Sequence, residues 1–172
     1  SLYEPLQADA ISDFIEPLKI VGRGYRVIYE PEAIAWETTA KDPKKEFRRR
    51  VRIVTRSVHS LLRDRSLLSL LDPVKYGMFS IQLWSHKVLR WFSGLFLLFI
   101  FAFNIPLLGQ GSVYMIIMAG QVVFYLLALW GFLTEAVLKR QALKIPHVVY
   151  YFLLSCCAML KGVYDGLRGH TM

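Results

Sequence analysis

The apolar positions along this chain change their period three times, and each change predicts a different element. Residues from about Ser12 to Val21 read as a short helix. Asp13, followed three places on by Glu16, has the form of a capping box, and Pro17 lies near the tolerated first turn. Gly22 and Gly24 supply its stop. Tyr25 to Tyr29 and then Ala33 to Trp36, separated by Pro31, predict two short strands. Such a helix and strand pair is too small to fold without partners.

After a polar break at Lys41 to Pro43, Phe47, Val51, Val54, Val58 and Leu61 recur at steps of four and three. That spacing lays one apolar stripe along a helix. Its other faces carry Arg48, Arg49, Arg50, Arg52, Arg56 and Arg63. A basic amphipathic helix of this kind is expected in a membrane interface, stripe towards the acyl chains and cations among phosphates. A less regular apolar region then leads to Ser85-His86-Lys87.

Beyond Arg90 the pattern stops alternating. No Asp, Glu, Lys or Arg occurs in the 44 residues from Trp91 to Thr134. A bilayer span takes about 20 apolar residues, so this stretch holds two, near 91–108 and 113–133, turning at Pro106 to Gly111. A third run, near 145–164, reaches across if Lys161 snorkels. Lys87 and Arg90 precede the hairpin and Lys139, Arg140 and Lys144 follow it, which predicts both of its ends in the cytoplasm. With three spans Arg168 falls outside.

Composition sharpens this picture. The chain is 55% hydrophobic yet carries a net charge of +8, and the two properties are segregated along it. A soluble domain has no use for so long an uncharged run. Nucleic acid is excluded as the main partner because the cations share a helix with a lipid-seeking stripe; anionic membrane lipids are the expected partner. Cys156 and Cys157 are adjacent within an apolar run, where a disulfide between them is strained, so they read as packing residues. His59, His86, His147 and His170 are too scattered for metal-ligand spacing. The chain opens at Ser1 with no signal-peptide pattern, and is expected to be part of a longer protein.

Ile11-Ser12-Asp13-Phe14-Ile15-Glu16-Pro17-Leu18-Lys19 and Gly24-Tyr25-Arg26-Val27-Ile28-Tyr29-Glu30-Pro31-Glu32-Ala33 resemble the back end of a processive family 2 glycosyltransferase, the group of cellulose, hyaluronan and poly-N-acetylglucosamine synthases. Glu46 to Ile53 resembles a later block of that family, and Ser85 to Trp91 its link into the C-terminal membrane helices. The resemblance implies a mainly α membrane protein. Residues 1–40 are the C-terminal remnant of a cytosolic GT-A α/β domain, 41–90 a basic amphipathic interfacial region, and 91–172 a membrane region of two or three transmembrane helices. It implies a nucleotide-sugar donor, a glycan or lipid-linked acceptor, and a divalent metal (Mg or Mn) whose ligands lie outside this chain. It also implies a bacterial inner membrane with the N-terminal half cytoplasmic.

In that family an acidic motif at a helix head supplies the base, and Ile11-Ser12-Asp13 stands there with only its Asp in common. Its Gln-x-x-Arg-Trp block reads Arg49-Arg50-Val51-Arg52-Ile53, so Arg52 matches while Arg49 and Ile53 replace Gln and Trp. Asp13 is therefore the candidate base, with helix capping as its competing role. Arg52, with Arg49 beside it, is the candidate for binding the departing diphosphate through paired hydrogen bonds. His86 and Lys87 read as interface anchors, and Trp36 and Glu37 as packing or loop residues. A non-catalytic membrane scaffold, its basic helix on anionic lipid, is the reading from a different class.

Overall fold

A computed structural model describes residues 10–36, 42–140 and 143–169; Glu37, Lys41 and His170 lie outside them. The protein is mainly helical, and no strand forms among the described residues. Two compact units are present, one running up to Trp91 and resuming at Lys161, the other Phe92–Leu160.

The first unit begins with α1, Ser12–Gly22, whose Phe14, Ile15 and Leu18 are buried. The two strands expected at Tyr25 to Tyr29 and Ala33 to Trp36 are not formed. A strand needs a neighbouring edge for its backbone hydrogen bonds, and no described residue offers one. Ile28, Tyr29 and Trp36 are left largely exposed, so Trp36, at 96%, is no packing residue.

Helix α2, Pro43–Arg63, starts where Asp42 accepts the Lys44 N–H at 2.9 Å with Pro43 as its first residue. Its stripe is buried at Val51, Val54, Val58 and Leu61. The partner is protein, contrary to the expected contact with acyl chains. Gly162 and Gly166, in the last turns of α9 (Lys144–Leu167), lie directly on it. A Cβ on Gly162 would stand 2.6 Å from the Val54 Cβ, and one on Gly166 2.8 Å from the Val58 Cβ. Only a bare glycine face lets the two helices come this close.

Short helices follow: α3, Arg65–Ser69; α4, Pro73–Tyr76; α5, Met78–Leu83. Asp64 and Asp72 cap α3 and α4, each accepting an N–H two residues on at 2.9 Å. Gly77, at φ +52°, makes the reversal into α5. Leu67 and Leu70 are buried. The fully buried Ser80 hydroxyl lies 2.6 Å from the Leu70 carbonyl and 2.8 Å from that of Asp72, while Trp84 Nε1 donates to the Leu71 carbonyl. These bonds satisfy the turn after α3 and hold α5 against it. A π-helical turn, Trp84–Val88, and α6, Leu89–Trp91, complete the unit, with Phe14 edge-on to Trp91.

In the second unit α7, Ser93–Asn104, is followed by a 3-10 turn, Ile105–Leu107, and packs against α8, Ser112–Phe132. Phe101 meets Tyr125 edge-on, and Asn104 donates to the Tyr114 carbonyl at 3.1 Å. A π-helical turn, Leu133–Val137, extends α8, and Pro146 and Tyr150 of α9 sit over Gly131. Cys156 and Cys157 are free thiols. Ser112–Val137 and Lys144–Leu167 are each long and apolar enough to cross a membrane, and Met78–Trp91 with Ser93–Leu107 forms a broken pair that makes a third if counted as one span.

Candidate functional site

Asp13 is the second residue of α1. The N-cap position belongs to Ile11, and no side chain caps this helix. The expected capping box is therefore absent: Asp13 accepts a hydrogen bond from the Ser12 hydroxyl at 3.1 Å and its side chain is exposed. Pro17 reinforces the exposure of polar groups here, since it has no N–H to give the Asp13 carbonyl four residues back. Capping, the competing explanation for an acid at this place, is not its role.

Asp13 lines a cavity of about 530 Å³. Phe14, Leu18, Phe79 and Leu83 form its apolar wall, and Gln82, His86 and Lys87 supply the other polar groups. The bonds from Ser80 and Trp84 fix α5 and the π-helical turn that carry these three. Lys87 Nζ also stands 5.2 Å above the Phe14 ring. Burial holds the Lys87 ammonium below the usual lysine range; Arg90 pushes it the same way and the Asp13 carboxylate pushes it back up. His86 and Lys87 are thus site-lining residues that sequence reasoning assigned to the interface. The usable signal was the helical spacing of Gln82 and His86, which puts both on one face.

Arg49 and Arg52 come together in a different cavity. It is about 340 Å³, and Lys45, Arg48 and Lys161 share its lining. Glu46, buried under the first turns of α2, pairs with Arg50 at 2.7 Å and Arg49 at 3.8 Å. Lys161 is held by both oxygens of Asp165, at 2.8 and 3.1 Å, rather than reaching alone for solvent. The structure therefore joins Arg52 to Arg49 but gives Asp13 other neighbours.

Neither cavity suits a divalent metal. Asp13 is the one carboxylate lining its cavity, its companions there are a lysine and a histidine, and no group of three metal-ligating side chains forms among the described residues. No family profile, no curated protein and no solved structure matches the chain.

Proposed function

We propose that this chain is the membrane-proximal part of an inverting family 2 glycosyltransferase, its N-terminal half a remnant of a GT-A domain on the cytoplasmic face of a bacterial inner membrane. It passes a sugar from a nucleotide-sugar donor to a growing polysaccharide; a lipid-linked acceptor taking a single sugar is the close variant. The observation that carries this reading is the uncapped Asp13 carboxylate at the head of α1, on a cavity shared with Lys87 and His86. The resemblance of the flanking residues supports it.

In this mechanism Asp13 takes the proton from the acceptor hydroxyl. The oxygen bonds to the anomeric carbon, the bond from that carbon to the diphosphate breaks, and the nucleoside diphosphate leaves with its charge. Lys87 is the cation that shares the cavity of Asp13 and can meet the departing charge there, while the guanidinium pair of Arg52 and Arg49 lines a separate cavity.

The test is turnover of a panel of nucleotide sugars by membranes carrying the protein from its complete reading frame. Asp13→Asn should lower the rate by about two to four powers of ten while leaving membrane insertion intact. Arg52→Ala should cost more than Arg56→Ala. Near-normal turnover by the Asp13 variant would remove the base assignment. The separate cavities of Asp13 and Arg52 favour the scaffold as second reading, which predicts no turnover with any donor.

A further inference from the structure

The arginine cavity holds more cations than the pair, Arg52 and Arg49, that the transfer reaction uses. Lys45, Arg48, Arg49, Arg52 and Lys161 line it, and no carboxylate does. Glu46 and Asp165 are committed to Arg49, Arg50 and Lys161. Lys45, Arg48 and Arg52 are left with no ion-pair partner among the described residues. Between these cations lie Phe47, Val51 and the methyl-bearing Thr55. The cavity therefore asks for two things at once, concentrated negative charge and a hydrocarbon surface.

Its position narrows the occupant. The wall contributed by α9 is Lys161, and the sixteen residues before it, 145–160, contain no Asp, Glu, Lys or Arg. Lys161 is thus the charge that ends the apolar run of one of the two helices able to cross a membrane, the level at which headgroup phosphates sit. At about 340 Å³ the space falls at the small end of ligand pockets, roughly 300–1,000 Å³, which suits a headgroup with the first methylenes of its chain. We propose that this cavity binds the phosphate headgroup of an anionic phospholipid, with Arg48, Arg52 and Lys45 on the phosphate and the upper acyl chain over Phe47 and Val51. A free inorganic phosphate fulfils half of this chemistry and gains nothing from the apolar floor. The site does not rest on the transferase reading, because Asp13 takes no part in it.

Native mass spectrometry of the full chain in detergent tests the site, with phosphatidylglycerol, phosphatidylcholine of the same chains, and inorganic phosphate as probes. Phosphatidylglycerol should give one saturable adduct. Arg48→Ala/Arg52→Ala should weaken it by about tenfold or more, the scale of a lost charge-assisted contact. Arg63→Ala/Arg65→Ala, two exposed arginines outside the cavity, should change it less than about twofold on the same scale. Lys45→Ala alone, at the exposed start of α2, should weaken the adduct severalfold with the helical circular dichroism unchanged. Equal losses in the cavity and control variants would reduce the site to a diffuse lipid shell. Phosphatidylcholine binding as tightly as phosphatidylglycerol, or inorganic phosphate displacing the lipid, would also overturn it.

Discussion

Four of the described aspartates stand at or near helix starts, and they divide by what their carboxylates do. Asp42, Asp64 and Asp72 each precede their helix and accept an N–H two residues on, whereas Asp13 sits inside α1 and caps nothing. The sequence made the first group legible where proline follows, at Asp42-Pro43 and Asp72-Pro73, because proline marks the first helical residue. No such marker follows Asp13, so the register of α1 could not be read to one residue, and with it the choice between cap and site. Asp64→Ala should destabilise the protein by about 1 kcal/mol, measured by thermal unfolding. The Asp64 carboxyl is held below the usual aspartate range, first by the Ser66 hydroxyl and then by the backbone N–H groups of Ser66 and Leu67, while burial opposes them. A lowered folded-state value means its stabilisation is complete above about pH 4 and is lost as pH falls through the folded value. Against Asp64→Asn, which keeps a cap but does not titrate, the advantage of wild type should hold above about pH 4 and shrink as pH falls below it. A constant difference would show that this carboxyl does not titrate with folding.

For whole elements the spacing of apolar residues was informative about faces and silent about what covers them. The stripe on α2 lies where its four-and-three spacing puts it, yet its cover is Gly162 and Gly166, a hundred or so residues away, and no period of α2 encodes that. Lipid and a glycine face satisfy an apolar stripe equally well. Tyr25 to Tyr29 failed for the opposite reason: its β-branched and aromatic residues suit a strand, but a strand is a property of two segments and no described segment pairs with it. The site suffered similarly, since Lys87 comes to share a cavity with Asp13 through the turn fixed by Ser80 and Trp84, contacts that no local pattern announces. Gly162→Val and Gly166→Val should each cost about 1–3 kcal/mol through overpacking against Val54 and Val58. Gly120→Ala on α8, whose added Cβ meets nothing within 4 Å, should be neutral or slightly stabilising. Equal tolerance at all three positions, read by thermal unfolding in detergent, would mean that α2 and α9 do not pack there.

At the scale of the molecule, α9 belongs to both units, and this bears on how the chain threads a bilayer. Its 24 residues extend about 36 Å, beyond the ~30 Å hydrocarbon core, so a crossing α9 has its ends on opposite faces. Its last turns lie on α2, which gives Arg168 the same face as the α2 arginines. Three full crossings, at 91–108, 113–133 and 145–164, place Arg168 opposite Lys87, which shares a unit with α2. The 12 residues of α7 and the 3 of its terminal turn are too short to traverse the core unaided, so α8 and α9 are the helices long enough to do so alone. In a chain with Cys156 and Cys157 replaced by serine, Arg63→Cys and Arg168→Cys should react with an impermeant thiol reagent from the same side; labelling from opposite sides would mean that the end of α9 does not lie on α2. The meeting of α2 with the end of α9 also sets an order of events during synthesis. The ribosome makes Val54 and Val58 roughly a hundred residues before the glycines that shelter them, a wait of about 5–20 s at ordinary elongation rates. Throughout that interval the nascent chain holds a sticky, arginine-flanked ridge with no permanent home, so a bilayer or a chaperone must keep it until the final turns arrive.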